Sequence, residues 1–129
     1  MLFVCPHGAG KSRIAAAWFG ALAPAGWTAT TAGVDPQATV SVHAPLLLAD
    51  TPALAFLDRE LPRPLSAVPG PALVVAIDCP ADVVPDAVAW ELTHGEFGPE
   101  LAAELRRRVL ELVGSLDAAE GGRPGGSGG

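Results

Sequence analysis

The stretch Leu2-Phe3-Val4-Cys5-Pro6-His7-Gly8-Ala9-Gly10-Lys11-Ser12 decides the fold. Leu2 to Val4 is a short run, apolar at every position, that ends in Cys5. Such a run suits a central parallel strand buried on both faces. A glycine-containing loop follows, and Lys11 to Ala23 then reads as a helix. Ile14, Trp18 and Leu22 are spaced four apart, Ala15 to Ala17 favour helix, and Pro24 and Gly26 end it. A loop that wraps before a helix N-terminus points several backbone N–H groups inward. The helix dipole adds about half a positive charge, and the result is a nest for an anion. Gly8 and Gly10 are expected to supply the positive φ such a nest needs.

The same setting favours the thiolate form of a cysteine at its lip. A thiolate beside an oxyanion nest is the layout for nucleophilic attack on a phosphoryl group or on arsenic. Cys5 is therefore the candidate nucleophile. Pro6, His7, Gly8, Ala9, Gly10, Lys11 and Ser12 form the candidate oxyanion-binding segment. Lys11 serves as a point charge on the oxyanion, and the Ser12 hydroxyl donates to the thiolate. The plain alternative is a buried, inert cysteine at a strand end. A rival reading takes Gly10-Lys11-Ser12 as the end of a nucleotide-binding P-loop, but Cys5 stands where that motif needs its first glycine.

Outward from this junction, Trp27 to Ala32 reads as a second strand and Gly33 to Pro36 as a turn. Residues 42–50 suggest a short helix, and 52–57 a second helical piece. Pro62 to Pro71 reads as a loop, Ala72 to Ile77 as a third, wholly apolar strand, and Ala87 to Leu92 as a fourth. Pro99 to Leu116 is the strongest helix, with Leu101, Leu105, Val109, Leu112 and Leu116 in one stripe. Arg106 to Arg108 reads as a solvated helix face. Asp35, Asp50 and Asp58 read as helix caps and turns. Strands alternating with helices imply a parallel sheet covered on both faces, with ligands bound beyond the carboxyl ends of the strands. Cys5 and Cys79 both fall at that edge.

The chain has 129 residues, enough for one domain: residues 1–120, with 121–129 as a flexible Gly-rich tail. Half of the residues are apolar, and the mean hydropathy is +0.36. Eight basic residues against fourteen acidic ones give a net charge of −6, which argues against nucleic acid as a partner. A small anion remains compatible, because one loop can override the global field. No apolar run approaches the ~18 residues of a membrane span, and no basic leader precedes an apolar core. A cytoplasmic protein is expected. Two cysteines are too few for a disulfide scaffold. No Cys-x2-Cys or His-x3-His spacing supports a metal.

Through these residues, the chain to about residue 117 resembles the low-molecular-weight protein tyrosine phosphatases and their arsenate reductase relatives. The arsenate reductase form of the loop reads Cys-x-His-Asn-Ala-Gly-Arg-Ser. Here Cys5, His7, Ala9, Gly10 and Ser12 stand in register. Thr31-Ala32-Gly33 matches the Ser/Thr-Ala-Gly at the end of strand two, and Val42-His43 resembles the opening of the next helix. The resemblance implies a single three-layer α/β domain with a four-stranded parallel sheet of order 2-1-3-4. It also implies a covalent intermediate on Cys5, formed in phosphomonoester hydrolysis (phosphotyrosine type) or in arsenate reduction.

Three departures qualify it. Asn becomes Gly8, which keeps a left-handed backbone. Arg becomes Lys11, which cannot grip two oxygens as a fork. That loss costs the transition state on the order of 2–4 kcal/mol. The Asp-Pro that the family carries after strand four is missing, and His94 or Glu96 is the candidate general acid, unless both are solvated loop residues. The thioredoxin-linked reductases need two further cysteines after strand three. Cys79 stands near the first position, but Val84-Pro85 occupies the second. A one-cysteine scheme drawing on a small thiol remains, with no other cofactor. Cys79 is then a resolving or protective thiol, or a structural one. His7 orients the nest or binds the oxyanion, and His43 reads as a helix-start residue. Lys11 and the missing Asp-Pro also motivate an alternative: a weak pseudo-phosphatase that binds an anion or a protein partner.

Overall fold

The computed structural model describes residues 1–121 except 69, 72, 81 and 85, without side-chain detail for 117–121. The tail expected over 121–129 therefore lies outside the described residues apart from Gly121, which ends a helix.

Four parallel strands form one sheet: β1 (Leu2–Cys5), β2 (Thr30–Gly33), β3 (Val74–Ile77) and β4 (Val88–Trp90), in the order β2-β1-β3-β4. Among the described residues, three α-helices accompany the sheet: α1 (Lys11–Leu22), α2 (His43–Leu48) and α3 (Pro99–Gly121). The expected α/β class and strand order hold. β1 is buried along its whole length because it pairs on both sides, Val4 with Ala32 and with Ala76. On one face Phe3, Val75, Ile77 and Trp90 meet α1 and α3 through Ile14, Phe19, Leu101, Leu105 and Val109. Phe3 packs edge-on to Phe19 at 5.8 Å between ring centroids. Each large side chain buried there contributes about 1.5–3 kcal/mol. The other face is a thinner layer, in which Leu2, Val4 and Ala32 meet Leu65 and Val68, beside a 3-10 turn at Leu65–Ala67.

Several boundaries differ from the sequence reading. β2 starts at Thr30, not Trp27, because β1 begins at Leu2 and offers earlier residues no ladder partner. β4 is only Val88–Trp90, since it is an edge strand paired with Val75 to Ile77 alone. The second helical piece is a 3-10 turn at Pro52–Phe56. α3 runs to Gly121, five residues beyond the expected Leu116. Arg106 to Arg108 is not simply a solvated face. Arg106 lies over the Trp18 ring at 5.2 Å, and Arg108 donates to Glu104 Oε2 and to the Glu91 carbonyl.

Candidate active site

The loop between β1 and α1 lies at the carboxyl edge of the sheet, and its polarity is set carbonyl by carbonyl. The Cys5 carbonyl accepts from Val34 N–H at 3.2 Å, Pro6 from Asp35 at 2.8 Å, and His7 from Gln37 at 3.3 Å. The Gly8 carbonyl accepts from Arg13 Nε–H at 2.8 Å, Ala9 from Ser41 N–H at 3.0 Å, and Gly10 from Ile14 at 3.0 Å. Every carbonyl from Cys5 to Gly10 is thus turned outward and satisfied. Among the described residues, no backbone N–H from His7 to Arg13 has a protein acceptor. Four of them, on Gly10 to Arg13, are the N–H groups that any helix start leaves without an intrahelical partner, and with those of His7 to Ala9 they make a run of donors of the kind an anion nest requires.

Of the two loop glycines, Gly8 meets the expectation and Gly10 departs from it. Gly8 has φ +64, and a Cβ there would lie 2.6 Å from Gly33 N. Gly10 has φ −133, so it supplies no positive φ. Its lack of a side chain instead makes room for the Phe97 ring, which a Cβ on Gly10 would strike. The loop after β4 therefore roofs the nest with Phe97, and the Phe97 ring stacks on His43 at 4.7 Å and 7°.

Cys5 is 3% exposed at the end of β1. Its thiol donates to Ser12 Oγ at 3.2 Å, and once ionised the sulfur accepts from the same hydroxyl. Ser12 is fully buried, so this partner is fixed in place. A cavity of about 470 Å³ opens over Cys5, lined by the loop together with Lys11, Gln37, Ser41, His43, Gly95 and Phe97. His7 is exposed, and its Nδ1–H donates to the Asp35 carbonyl at 3.2 Å. Lys11 lines the cavity, but its Nζ is 2.7 Å from Asp78 Oδ2. Asp78 in turn accepts from Leu92 N–H through Oδ1.

The candidate general acids are not brought to the nest. His94 and Glu96 are absent from the cavity wall, which the intervening Gly95 and the adjacent Phe97 line instead. His94 faces Glu100, with Nδ1 at 3.3 Å from Oε2. The buried carboxylate Glu104 fixes the base of this loop by accepting from Thr93 and His94 N–H groups at 3.0 and 3.1 Å. Burial pushes Glu104 upward, but these N–H groups and Arg108 outweigh it and hold the carboxyl below its ordinary range.

Cys79 follows β3 at the same edge, yet it packs with Leu2 and Val4 on the face opposite Cys5. Both thiols are free. Burial, with the charges of Cys5 and Asp78, pushes the Cys79 thiol up to about 11. At neutral pH it is a protonated and poor nucleophile.

Sequence reasoning missed Arg13 and its anchor. Arg13 is 1% exposed. Its Nη1 donates to the Asp58 carbonyl at 2.6 Å, and Asp58 also pairs with Arg63 at 2.8 Å. Asp58, read as a cap or turn, is the centre of this network. Burial raises Asp58, but Arg63, the Glu60 N–H and Arg13 outweigh it and keep it below its ordinary value. The only signal in the sequence was a charged residue on the apolar side of a helix.

Sheet order, loop and helix start together define the fold of the low-molecular-weight phosphatase and arsenate reductase superfamily. The sequence matches no protein-family profile and no curated protein. Among solved structures, an arsenate reductase from Archaeoglobus fulgidus is similar at 29% identity over 88% of this chain and 98% of that one, with a TM-score of 0.69. A thioredoxin-dependent arsenate reductase from Corynebacterium glutamicum is similar in fold at 24% identity, over 92% of this chain and 61% of that longer one, TM-score 0.69. A low-molecular-weight protein tyrosine phosphatase from T. tengcongensis shares the fold at 19% identity over 92% and 97%, TM-score 0.63. Among the described residues, no helix is long and apolar enough to cross a membrane.

Proposed function

We propose that this chain is an oxyanion enzyme working through a covalent intermediate on Cys5, and that arsenate reduction suits its cavity best. The observation that carries the reading is the polarised loop, with all carbonyls from Cys5 to Gly10 turned out and the N–H groups from His7 to Arg13 free to face an oxyanion. The Cys5 thiolate attacks arsenic and an As–O bond breaks. The nest N–H groups hold the remaining oxygens, and Ser12 supports the sulfur before attack. A small external thiol then attacks the Cys5 sulfur. The S–As electron pair stays on arsenic, arsenite leaves, and a mixed disulfide remains for a second thiol to reduce. No cofactor beyond that thiol enters the scheme.

Two features favour arsenate over an alkyl phosphoester. Among the described residues, no carboxylate lines the cavity to protonate an alkoxide, whereas arsenate brings a proton to its own leaving oxygen. Cys79 is held neutral on the opposite face, which fits an external reductant better than an internal relay. The likeness to the Archaeoglobus fulgidus arsenate reductase supports the same reading.

Phosphomonoester hydrolysis is the second reading, favoured by His43, whose imidazole lies in the cavity wall as a proton donor. The test incubates the protein with arsenate and glutathione and measures arsenite, beside hydrolysis of p-nitrophenyl phosphate. Thiol-dependent arsenite formation, lost in Cys5→Ser, is the expected result. Phosphate release without arsenite establishes the second reading. Neither activity, with phosphate still shielding Cys5 from alkylation, leaves an anion-binding pseudo-enzyme.

A further inference from the structure

The nest rests on a buried ion network that no motif reading assigns. Arg13 is the largest fully buried side chain among the described residues. Its Nε–H holds the Gly8 carbonyl at 2.8 Å, and its Nη1–H holds the Asp58 carbonyl at 2.6 Å. The Asp58 carboxylate lies 3.6 Å from Nη1 and is shared with Arg63 and with the Thr31 hydroxyl. Arg63 reaches Thr30 Oγ1 and the Thr31 carbonyl, and its own carbonyl accepts from Gly33 N–H. The end of β2 and the nest loop are thereby bolted to one charge cluster. Arg13 Nη2 is buried without an acceptor among the described residues. Two guanidinium groups face two carboxylates, Asp58 at 19% and Glu60 at 82% exposed, so the formal charges balance while the exposed Glu60 is the more strongly screened by water. The Arg13 guanidinium, 1% exposed, is the least screened of these charges and lies behind the loop, against the Gly8 carbonyl.

We propose that Arg13 is a positioning residue that turns the Gly8 carbonyl out of the nest and supplies the fixed positive charge that favours the Cys5 thiolate, with Asp58 setting how much of that charge is felt. Position 11 holds a lysine tied to Asp78, so the buried cation two residues further on takes over the electrostatic half of that position's task. Burial weakens Arg13's hold on its proton, Asp58 strengthens it, Arg63 opposes, and the Cys5 charge adds a smaller strengthening share. The other charged or titratable groups about the site are Lys11 and His7 from the loop, His43 from α2, and Asp78 and Cys79 beyond β3. Cys79 is replaced by serine throughout the experiment below, and the others are the same in every variant compared.

This inference rests on the reading of Cys5 as the nucleophile of an oxyanion nest. The experiment follows iodoacetamide alkylation of Cys5 against pH in a Cys79→Ser background, with thermal unfolding measured alongside. Arg13→Gln is expected to move the midpoint up by about one pH unit, and Asp58→Asn to move it down by a similar amount. Both variants lower Tm. Arg13→Lys, which keeps charge but not the fork, is expected to keep most of the midpoint while losing Tm. Glu60→Gln moves neither by much. A purely structural role loosens the nest in both variants and moves both midpoints upward, so equal signs overturn the proposal. Should Arg13→Gln not fold, the sign of Asp58→Asn decides alone. Inorganic phosphate protection of Cys5 in the unsubstituted protein tests the underlying reading separately. Protection with equal signs sinks only the proposal, and lack of protection sinks the reading.

Discussion

Lys11 Nζ lies 2.7 Å from Asp78 Oδ2, across the gap between the start of α1 and the end of β3. Lys11 occupies the position where the family motif carries its oxyanion-gripping arginine. Both partners are only partly exposed, at 19% and 25%, so the pair is shielded from solvent. An arriving oxyanion must compete with, or share, a lysine that already has a counter-ion. Asp78→Asn keeps an oxygen for Leu92 N–H and removes the charge. Phosphate is expected to protect Cys5 about fivefold more tightly in that variant. Unchanged or weaker protection means that Asp78 aims Lys11 at the ligand instead of withholding it. Lys11→Arg, with five donors in a fork, is expected to raise turnover about tenfold or more.

Ser12 is the only side-chain hydrogen-bond partner of the Cys5 sulfur among the described residues. Ser12→Ala removes the donor and leaves a methyl in a fully buried site. Turnover is expected to fall by about tenfold to a hundredfold. The pH at which alkylation is half-maximal is expected to rise, and the thermal midpoint to change little. A lost Tm with an unchanged pH profile makes the serine a packing residue.

Gly8, Gly10 and Gly33 differ in what opposes a side chain. At Gly8 and Gly33 a Cβ meets backbone, 2.6 Å from Gly33 N and from the His7 carbonyl carbon respectively. Gly8→Ala also carries the strain of φ +64, and is expected to cost about 2 kcal/mol or more. Gly10→Ala collides with the Phe97 ring and otherwise makes only an ordinary contact with Ser41 Cβ at 3.4 Å. Its penalty is expected to vanish largely in the Gly10→Ala/Phe97→Leu double variant, measured by chemical unfolding. Failure of that rescue places the constraint in the loop backbone.

Acid stability follows from Asp58 and Glu104. Both carboxyls are held below their ordinary range in the folded state, against burial that pushes them up. A depressed folded value means that the unfolded chain binds protons first as pH falls. The stabilisation is complete above the ordinary range near pH 4, and drains away as pH falls through the depressed values. Tm is therefore expected to drop steeply below about pH 4. Glu104→Gln is expected to flatten that decline and to lower Tm at pH 7, because the Thr93 and His94 N–H groups lose a charged acceptor.

Much of the site was legible because its chemistry is local. The Cys5 to Ser12 stretch specifies strand end, loop and helix start through residues that are neighbours in the chain. His94 and Glu96 illustrate the opposite. Spacing along the loop after β4 pointed to them, but loop residues alternate in direction, and the fold turns Gly95 and Phe97 toward the nest instead. His43 was read as a helix start, which it is, with its N–H donating to Ser41 Oγ. Its place in the cavity wall depends on α2 crossing beneath Phe97, a contact between residues more than fifty positions apart.

The sequence by itself determined the parallel α/β class, the four strands, and the junction of strand, loop and helix that carries Cys5. Hydrophobic periodicity and glycine placement act over a few residues and are readable there. Only the tertiary structure decided which cations serve the nest. Lys11 finds Asp78 at the end of another strand, and Arg13 finds Asp58 across forty-five positions. A charge's worth is set by its burial and by its counter-ions, and those come from segments that the chain order keeps apart.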